Sequence, residues 1–314
     1  MITLYWKIIA MHKSLHKMDR LPELDGYQDH PQQMKAAAIG KVGILELEFE
    51  QKNDKTVLTH LYRVTPLLVQ QALYWDESWP GLPICSIISV GGGILQGDRY
   101  YLKIKVKDNA YASVNTQSAT RVQEMDANYA TQYQHIEVGG NAYIEYIPDS
   151  TILYKHSRSA FENTIIADES SVVVYGETIM LGRKYYKNER YDFDVFSSAV
   201  NVYRPNGNCI FSEKLLLTND ESTKDFNAVM QNFNVFANIV CLCPEGIREK
   251  IIDNYKFTHD KTLNSLSGLS LLPNQAGIVL RVVGEESYHV HGEIKRFTQY
   301  VRSVIKNHLF KLKK

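Results

Sequence analysis

Two pairs of side chains have residue types and spacings that suit metal binding. His289 and His291 lie two residues apart, so on a strand both imidazole rings would point to one face, and imidazole pairs suit nickel, copper or zinc. Because they border a predicted helix, we favour surface or turn positions for them over metal binding. Cys241 and Cys243 form a Cys-x-Cys pair, but the apolar run around them fits a buried strand in which cysteine is a small hydrophobic residue. We favour burial for the cysteines.

A glycine-rich stretch, SVGGGILQGD, invites comparison with a phosphate-binding loop. Such a loop opens a helix, whose free N–H groups and dipole bind the anion. Here an alternating run, RYYLKIKV, follows and predicts a strand, and the Walker and G-x-G-x-x-G spacings are both missing. We therefore predict a structural turn with positive φ or close backbone approach, in which an aspartate accepts hydrogen bonds from turn N–H groups. The residues of this turn are Gly91, Gly92, Gly93, Gly97 and Asp98.

Four acidic residues on or next to predicted strands are candidates for acid–base chemistry or weak metal binding. Paired carboxylates can act as general acid and general base, and the four would converge only if their strands stack. Most such residues are simply solvated. The hydrolase motifs G-x-S-x-G and H-E-x-x-H do not occur in the sequence. The four residues are Asp98, Glu145, Asp149 and Glu177.

The elements that would position these side chains are mainly strands. From Gly43 to about residue 218, short alternating or β-branched runs are broken by glycine, asparagine, aspartate and proline. Leu102, Ile104 and Val106 alternate with lysines, as expected for a strand with one buried face. The 20 tyrosines fit half-buried sheet positions.

After Thr218 the pattern changes. Apolar residues recur at helical spacing within 225–240, 245–255 and the C-terminal 294–309, which predicts amphipathic helices. The run AGIVLRVVG between them predicts a strand. The C-terminal third therefore combines helices with strands that must pack against the β body.

Three stretches of the β region can be superposed at intervals of roughly 30 residues. VKDNAYASV, VGGNAYIEY and ADESSVVVY each contain a strand end, a polar turn and a new strand. The pattern predicts stacked β-coils, although an ordinary sandwich with hairpins of similar length remains an alternative. In stacked coils the inward side chains would be Ala110, Ala112, Val114, Ala142, Ile144 and Tyr146.

Composition limits the class of protein. The 35 basic and 35 acidic residues of this 314-residue chain give a formal charge of zero, so no global field favours a nucleic acid or a membrane as partner. Four scattered cysteines do not resemble a disulfide framework and fit a reducing cytosol. No signal-peptide pattern and no run of about 18 apolar residues is present, so we expect a cytoplasmic location.

Five motifs, taken in order, give a more specific expectation. They are RVTPLLVQQALYWDES, SVGGGILQGDRYYLKIKV, NTQSATRV, GGNAYIEYIPDSTILY and GETIMLGRKYYKNERYDF. Together they resemble the urease accessory protein family UreD, called UreH in some organisms, over roughly residues 43–310. The resemblance implies a UreD-like β-rich domain at 41–314, with a helical C-terminal part, preceded by a poorly ordered extension at 1–40 without a recognisable counterpart.

The resemblance also implies a fold and a role. The fold is mainly β, a β-helix-like body of stacked β-coils with appended C-terminal helices. The role is that of a scaffold, not an enzyme: with UreF and the GTPase UreG it docks on urease apoprotein and assists nickel insertion. No tightly bound cofactor is expected, and nickel would be held only transiently. Neither a nucleic acid nor a membrane is an expected partner.

Site residues follow from the same resemblance. The glycine turn becomes a structural hallmark, joined by Gly182 and Arg183. Two departures stand out: Gln123 replaces a usual tyrosine, and Asn188 replaces a usual glycine, which a turn with positive φ tolerates. A scaffold that passes nickel on needs weak, exchangeable oxygen ligands. By residue type, the candidates for such a polar route are Asp98, Thr116, Gln117, Glu145, Asp149 and Glu177.

Two alternatives come from other functional classes. A β-solenoid hydrolase or lyase would use the clustered carboxylates as acid and base. A carbohydrate-binding β module would use the tyrosines as a stacking surface. Urease genes beside this one would favour the scaffold, whereas sugar-processing genes would favour the alternatives.

Overall fold

The computed structural model describes residues 17–29, 40–219, 230, 233–257 and 265–312, with the side chains of the last helix described through Lys306. Within these ranges no helix is both long enough and apolar enough to cross a membrane. The strands are β1 (Val42–Lys52), β2 (Lys55–Val64), β3 (Leu67–Leu68), β4 (Ile84–Ser89), β5 (Arg99–Val106), β6 (Tyr111–Thr116), β7 (Thr120–Val122), β8 (Ala130–Val138), β9 (Tyr143–Tyr146), β10 (Thr151–Leu153), β11 (Arg158–Ala167), β12 (Val172–Met180), β13 (Gly182–Arg183), β14 (Glu189–Arg190), β15 (Val195–Tyr203), β16 (Cys209–Thr218), β17 (Val235–Leu242), β18 (Ser265–Leu271) and β19 (Gly277–Gly284). The helices are α1 (Glu245–Asn254) and α2 (Ser287–Leu312), with short 3-10 turns at Pro22–Tyr27 and Pro273–Gln275.

Most strands belong to two sheets that share one core. The smaller sheet has seven strands in the order β16-β15-β11-β8-β5-β1-β2. The larger sheet has ten strands, and its main path has the order β18-β19-β17-β12-β9-β6-β4-β3. The short strands β7 and β10 pair with each other beside β12, and β13 and β14 form a separate hairpin. Buried side chains of both sheets contact each other in a single cluster. The prediction of a mainly β fold with C-terminal helices is confirmed.

Successive strands of the central region alternate between the two sheets. The chain runs from β5 to β6, from β8 to β9 and from β11 to β12, and each strand pairs in parallel with its equivalent in the next coil. Val138 pairs with both Val106 and Ala167, which places the three superposed sequence stretches in register. The strands after the turns are also in register, through Tyr111, Tyr143 and Val172.

The inward faces of these coils form the larger core. Leu102, Ile104 and Val106 of β5 all lie in it, as the alternation predicts. The predicted inward side chains also belong to this cluster, namely Ala110, Ala112, Val114, Ala142, Ile144 and Tyr146. Alternate side chains of the parallel strands are buried in layers. Each Å² of apolar surface removed from water stabilises the fold by about 25 cal/mol. The strand period therefore decides which side chains face the space between the sheets.

The helices cover the outer face of the larger sheet. Side chains of α1 and α2, among them Ile251 and Phe297, pack against outward residues such as Val174 of β12 and Leu280 of β19. The predicted helices at 245–255 and in the C-terminal segment are confirmed, as is the strand over AGIVLRVVG.

The prediction of a helix over 225–240 is wrong for its second half. Val235–Leu242 is strand β17, whose side chains are buried on both faces between β12 and β19. A strand buried on both faces is apolar at nearly every position, so it has no period-2 signal and its spacing also fits a helix. Residues 225–229, 231 and 232 lie outside the described residues.

Part of the predicted N-terminal extension is packed against the β body. In residues 17–29, Met18 and Leu24 are fully buried against Tyr129 and the outer face of the smaller sheet. Lys17 also forms an ion pair with Glu162 on β11. These thirteen residues therefore differ from the expected loose extension, and the remaining residues of 1–39 lie outside the described part.

The glycine-rich stretch forms turns that lead into β5. Gly92, Gly93 and Gly97 have φ of +71°, +135° and +79°, a region that favours glycine. A Cβ on Gly93 would lie 2.6 Å from the carbonyl oxygen of Arg121, so the turn also needs close backbone approach. The carboxylate of Asp98 accepts hydrogen bonds from the backbone N–H groups of Leu95 and Lys41.

Replacing the three consecutive glycines one at a time should separate conformational strain from steric contact. We expect Gly93→Ala to destabilise the protein by about 2–4 kcal/mol, because it combines an unfavourable φ with a backbone clash. Gly92→Ala should cost about 1–2 kcal/mol, since φ is positive but the space beyond Cβ is open. Gly91→Ala, with no positive φ, is the control. Urea unfolding midpoints that do not follow this order would contradict the structural account.

Candidate functional site

A polar cavity of about 280 Å³ lies between the two sheets. Its wall takes side chains from β5, β8, β11 and β15 of the smaller sheet and from β6, β9 and β12 of the larger one. Hydroxyl, amide and aromatic groups alternate with apolar side chains in this wall, and one carboxylate, Glu177, and one guanidinium, Arg121, contribute. The polar and aromatic lining residues are Ser89, Tyr100, Thr116, Ser118, Thr120, Arg121, Gln132, Gln134, Tyr146, Thr151, Phe161, Asn163, Tyr175, Glu177, Thr178 and Phe196.

The inner part of the cavity contains polar groups that an apolar core would not tolerate. Gln134 is completely buried, yet neither atom of its amide group has a hydrogen-bond partner among the described residues, although the Tyr146 hydroxyl is near enough to interact with it. Burying an amide without a partner costs free energy comparable to a lost hydrogen bond. A polar group placed there at such a cost is suited to bind water or a polar solute in the cavity.

Glu177 is the carboxylate of this wall. It follows Val173 and Tyr175 at the inward positions of β12, and its Oε1 accepts hydrogen bonds from Ser198 Oγ and, at 3.3 Å, from Asn163 Nδ2. Burial raises the pKa of the Glu177 carboxyl, and the hydrogen bonds from Ser198 and Tyr175 offset only part of this effect. No ion pair links it to a described lysine, arginine or histidine.

The cavity reaches the surface beside the glycine turn. Its outer lining includes Gly92, Ser118 and Arg121, which are exposed, whereas Gln134 and Asn163 at the inner end are buried. The wall between them is the short parallel ladder of β7, β10 and β12, in which Thr151 pairs with Thr120 and Ile179. The tight packing of Gly93 on Arg121 therefore shapes the rim of the opening.

Of the six predicted route residues, only Thr116 and Glu177 line this cavity. Asp98 lies behind the wall, where its Oδ2 accepts a hydrogen bond from the lining Tyr100 at 3.0 Å. Gln117 is exposed on the loop that follows β6. The Oγ1 of Thr116 accepts a hydrogen bond from the backbone N–H of Asp149, so that residue contacts the wall through its main chain.

Glu145 faces away from the cavity. It alternates with the inward Ile144 and Tyr146 on β9, and it is buried under helix α2, where Arg302 binds both of its carboxylate oxygens. Tyr143 donates a further hydrogen bond of 2.7 Å to the Glu145 carboxylate. The pKa of Arg302 is raised mainly through its bonds with this carboxylate, despite the opposing effect of burial. This ion pair joins the C-terminal helix to the larger sheet.

The two candidate histidines lie on helix α2, not on a strand. Two helical residues separated by one position point in different directions, so His289 and His291 do not share a face. His289 stacks near Tyr288, with ring centroids 3.8 Å apart. His291 Nε2 lies 3.2 Å from Asp149 Oδ1, and it holds the pKa of that carboxyl below its usual value.

The described residues contain no group of three or more histidine, cysteine or acidic side chains placed to hold a metal ion. Cys241 and Cys243 are buried on and just after β17, and the neighbouring thiol together with burial raises the pKa of Cys241 well above its ordinary value. Protonated, buried thiols are poor metal ligands. The expectation that these cysteines act as small hydrophobic residues agrees with this environment.

Gly182 and Arg183 begin a hairpin beyond the end of β12. Gly182 has φ of +116°, and a Cβ there would overlap the carbonyl oxygen of Glu189. Arg183 forms an ion pair with the buried Glu189, with Nη2 and Oε2 2.6 Å apart. Glycine and arginine thus fix the base of the hairpin.

Sequence reasoning missed the amides that give the cavity its character. Gln134 and Asn163 lie opposite one another on β8 and β11, at inward positions where neighbouring coils have apolar residues. The sequence did contain a signal for them. Gln134 lies two residues before the core residue Ile136 within ATQYQHIEV, so both side chains point to the inward face of the strand. A polar residue at a predicted inward position marks either a satisfied hydrogen-bond network or a polar cavity.

Comparison with known proteins agrees with the order of the sequence motifs. A family model described as UreD urease accessory protein matches residues 41–311. The chain belongs to the UreD family of urease accessory proteins. It is 46% identical over 301 residues to urease accessory protein UreD 3 of Methylorubrum populi, covering 95% of this chain and 96% of that relative. It is 41% identical over 284 residues to UreD 2 of Brucella ovis, covering 90% of this chain and 94% of the relative.

Family membership settles two further points. Members of the UreD family are accessory proteins and not enzymes, in agreement with the expectation from the motifs. The match that covers 95% of the chain extends into the first 40 residues, so part of this segment does have a counterpart, contrary to the expectation. Its packed residues 17–29 fit that finding.

The raised pKa of Glu177 predicts a pH dependence with a definite sign. A carboxyl whose pKa is higher in the folded protein binds more protons there than in the unfolded chain, so its contribution to stability is complete below about pH 4.5 and is lost as pH rises through the folded-state pKa. Wild type should therefore lose stability relative to Glu177→Gln as pH rises from about 4.5 through the folded-state pKa of Glu177. Urea unfolding of both proteins at several pH values tests it, and a difference that does not change with pH would contradict it.

Proposed function

We propose that this protein is a cytoplasmic scaffold for urease maturation. In this proposal it acts with UreF and UreG, docks on urease apoprotein, and assists delivery of nickel together with the carbon dioxide that carbamylates the bridging lysine. Membership of the UreD family over most of the chain is the observation that carries the proposal. The cavity between the sheets gives it a physical basis.

The cavity has the chemistry of a passage rather than of a storage site. A hydrated divalent cation exchanges quickly when it meets neutral oxygen ligands and few charges, whereas several converging histidines, cysteines or carboxylates would retain it. The described wall provides hydroxyls, amides and the carboxylate of Glu177. Since no described lysine, arginine or histidine is paired with it, Glu177 is available in this proposal to attract a cation.

Proton exchange at Glu177 would make cation binding reversible. Because burial raises the pKa of this carboxyl, protons compete with Ni²⁺ for it more strongly than they would at an exposed carboxyl, which lowers the net gain in free energy. Asn163 and Ser198 hold the carboxylate in place without neutralising its charge. We expect nickel affinity of the isolated protein to be micromolar or weaker, that is, about 8 kcal/mol or less of binding free energy.

The other five route candidates take different places in this proposal. Thr116 offers a hydroxyl to the passage itself. Asp98 and Asp149 support the wall through Tyr100 and Thr116. Glu145 holds helix α2 in place through Arg302. The exposed Gln117 lies in the same loop as the outer lining residue Ser118 and can contact only an entering ion.

The direct experiment is activation of urease in cells that co-express the urease subunits with UreF and UreG, in the presence or absence of this gene. We expect urease activity and bound nickel to fall when the gene is omitted. Equal activity and nickel content in both cultures at limiting nickel would contradict the proposed function.

A charge-neutral substitution tests the passage. Glu177→Gln keeps the shape and most hydrogen-bonding capacity of the side chain but removes the charge, so we expect normal folding and complex formation with less nickel in urease. Glu169→Gln, at an exposed turn residue, is the matched control. Full activation by Glu177→Gln at limiting nickel would show that nickel does not pass this residue.

Glu145, the buried carboxylate that faces away from the cavity, should affect the stability of the protein and not the delivery of nickel. Glu145→Gln removes one of the two carboxylates that Arg302 binds, the other being Asp76, and should cost about 1–3 kcal/mol of stability. Any loss of urease activation by this variant should then follow its loss of folded protein, measured by thermal unfolding. A stable Glu145→Gln protein that fails to activate urease would return Glu145 to the nickel route.

A further inference from the structure

A line of polar side chains continues from the inner end of the cavity across the larger sheet. Glu177 on β12 is directly opposite Asn238 on β17, and Asn238 is directly opposite Arg281 on β19. Directly opposite residues point to the same face of a sheet, so all three face the space between the two sheets. The cavity is walled by β12, β9 and β6, so this line leaves it on the other side of β12.

Asn238 is polar where its neighbours along the strand are apolar. It alternates with Phe236 and Val240, which pack in the core between the sheets. Asn238 is 6% exposed, and its side-chain oxygen Oδ1 has no hydrogen-bond partner among the described residues. Burying an amide oxygen without a partner costs free energy, so folding alone does not favour asparagine at this position. An amide oxygen near a carboxylate is, however, a good ligand for a hard divalent cation.

The smaller sheet adds a second carboxylate at the same place. Glu213 on β16 lies two residues after the core residue Phe211, so its side chain points inward. Its Oε2 accepts a hydrogen bond of 3.1 Å from Asn238 Nδ2, and its Oε1 pairs with Arg281. Burial raises the pKa of Glu177, and the charge of Glu213 adds to this shift, so the two carboxylates interact. We call Glu177, Asn238, Glu213 and Arg281 the polar row.

The polar row ends near the open side between the sheets. Strand β16 is the edge strand of the smaller sheet, and β18 follows β19 as the last strand of the larger one. Exposure rises from 6% for Asn238 to 28% for the side chain of Glu213 and 53% for that of Arg281. Gly268 is opposite Arg281 on β18, and a Cβ built on it would meet no atom within 4 Å. The Glu213–Arg281 ion pair therefore lies at the solvent end of the polar row.

The charges of the polar row favour exchange of one cation for another. Its two carboxylates and one guanidinium sum to one negative charge when Glu177 is ionised and to zero when Glu177 is protonated. Arg281 occupies the Glu213 carboxylate as an internal cation. Because a partly exposed ion pair contributes little free energy, a divalent cation that reaches Glu213 can replace the guanidinium, which then turns to water.

We propose that Glu213 is a second carboxylate of the nickel passage and that Arg281 closes this end of the passage by pairing with it. In this proposal Ni²⁺ moves from Glu177 past Asn238 Oδ1 to Glu213 and releases the guanidinium of Arg281. The passage then has two ends, one beside the glycine turn and one between β16 and β19. The inference rests on the proposed function, because the cation is the one that the proposed scaffold delivers.

Substitutions of the two ion-pair partners should have opposite effects on the nickel affinity of the full chain. Glu213→Gln keeps the shape of the side chain but removes its charge, and we expect it to weaken Ni²⁺ binding about threefold or more. Arg281→Gln removes the competing cation, and we expect it to strengthen binding about threefold. Lys214→Gln is the matched control, because Lys214 is the neighbouring cation on β16 but pairs with Glu23 on the outer face. Equilibrium dialysis of the four proteins against nickel chloride measures the affinities.

The opposite signs distinguish a closing contact from an ion pair that only stabilises the fold. If the pair is merely structural, both variants should lower the midpoint of thermal unfolding without shifting nickel affinity in opposite directions, and that result would overturn the inference. Arg281 is more than half exposed, so Arg281→Gln decides the question if Glu213→Gln does not fold. Unchanged or weaker nickel binding by Arg281→Gln would then show that Arg281 does not compete with the cation.

Urease activation in cells separates this inference from the proposed function. At limiting nickel we expect Glu213→Gln to leave less nickel in urease than wild type or Lys214→Gln. If cells with and without the gene activate urease equally, the proposed function fails, whatever the variants bind. If wild type supports activation and Glu213→Gln supports it equally well, Glu213 is not part of the passage and the proposed function stands.

Discussion

The parallel register between successive coils is the constraint on which the rest of the structure depends. Once Val138 pairs with Val106 and Ala167, every later residue of the three coils has a fixed face. An even step keeps a side chain between the sheets, and an odd step moves it to the outer face. A single register therefore decides that Glu177 borders the polar cavity and that Glu145 meets Arg302 under helix α2.

The same constraint explains how far the sequence alone could lead. The superposed repeat predicted the register correctly, and with it the inward positions of Ile144 and Tyr146. Because Glu145 lies between these two inward residues, the repeat already placed it on the opposite, outer face of the strand. Grouping Glu145 with Glu177 in one route therefore ignored information that the repeat contained. Strand β17 could not be predicted in this way, because it is buried on both faces and its apolar residues have no period of two. The cavity could not be predicted either, since the space between sheets depends on which side chains fill it.

Hydrogen-bond donors, not burial alone, distinguish the roles of the acidic residues. Asp98 receives two backbone N–H groups and the Tyr100 hydroxyl, so its charge is used to close the glycine turn. Glu145 is neutralised by Arg302, which makes it part of the contact between helix and sheet. Among the described residues, the groups that donate hydrogen bonds to Glu177 are neutral. Three carboxylates that look alike in sequence thus differ in whether their described partners are backbone amides, a guanidinium or neutral side chains.

The cavity and the hairpin of β13 and β14 are connected through β12. Its inward residues Tyr175 and Glu177 form part of the wall, and the chain then leaves the sheet at Gly182, where only glycine fits against Glu189. Arg183 and Lys184 hold the hairpin on two sides, through ion pairs with Glu189 and Glu286. Since β12 also pairs with β10 at the cavity wall, the base of the hairpin and the shape of the cavity depend on the same strand.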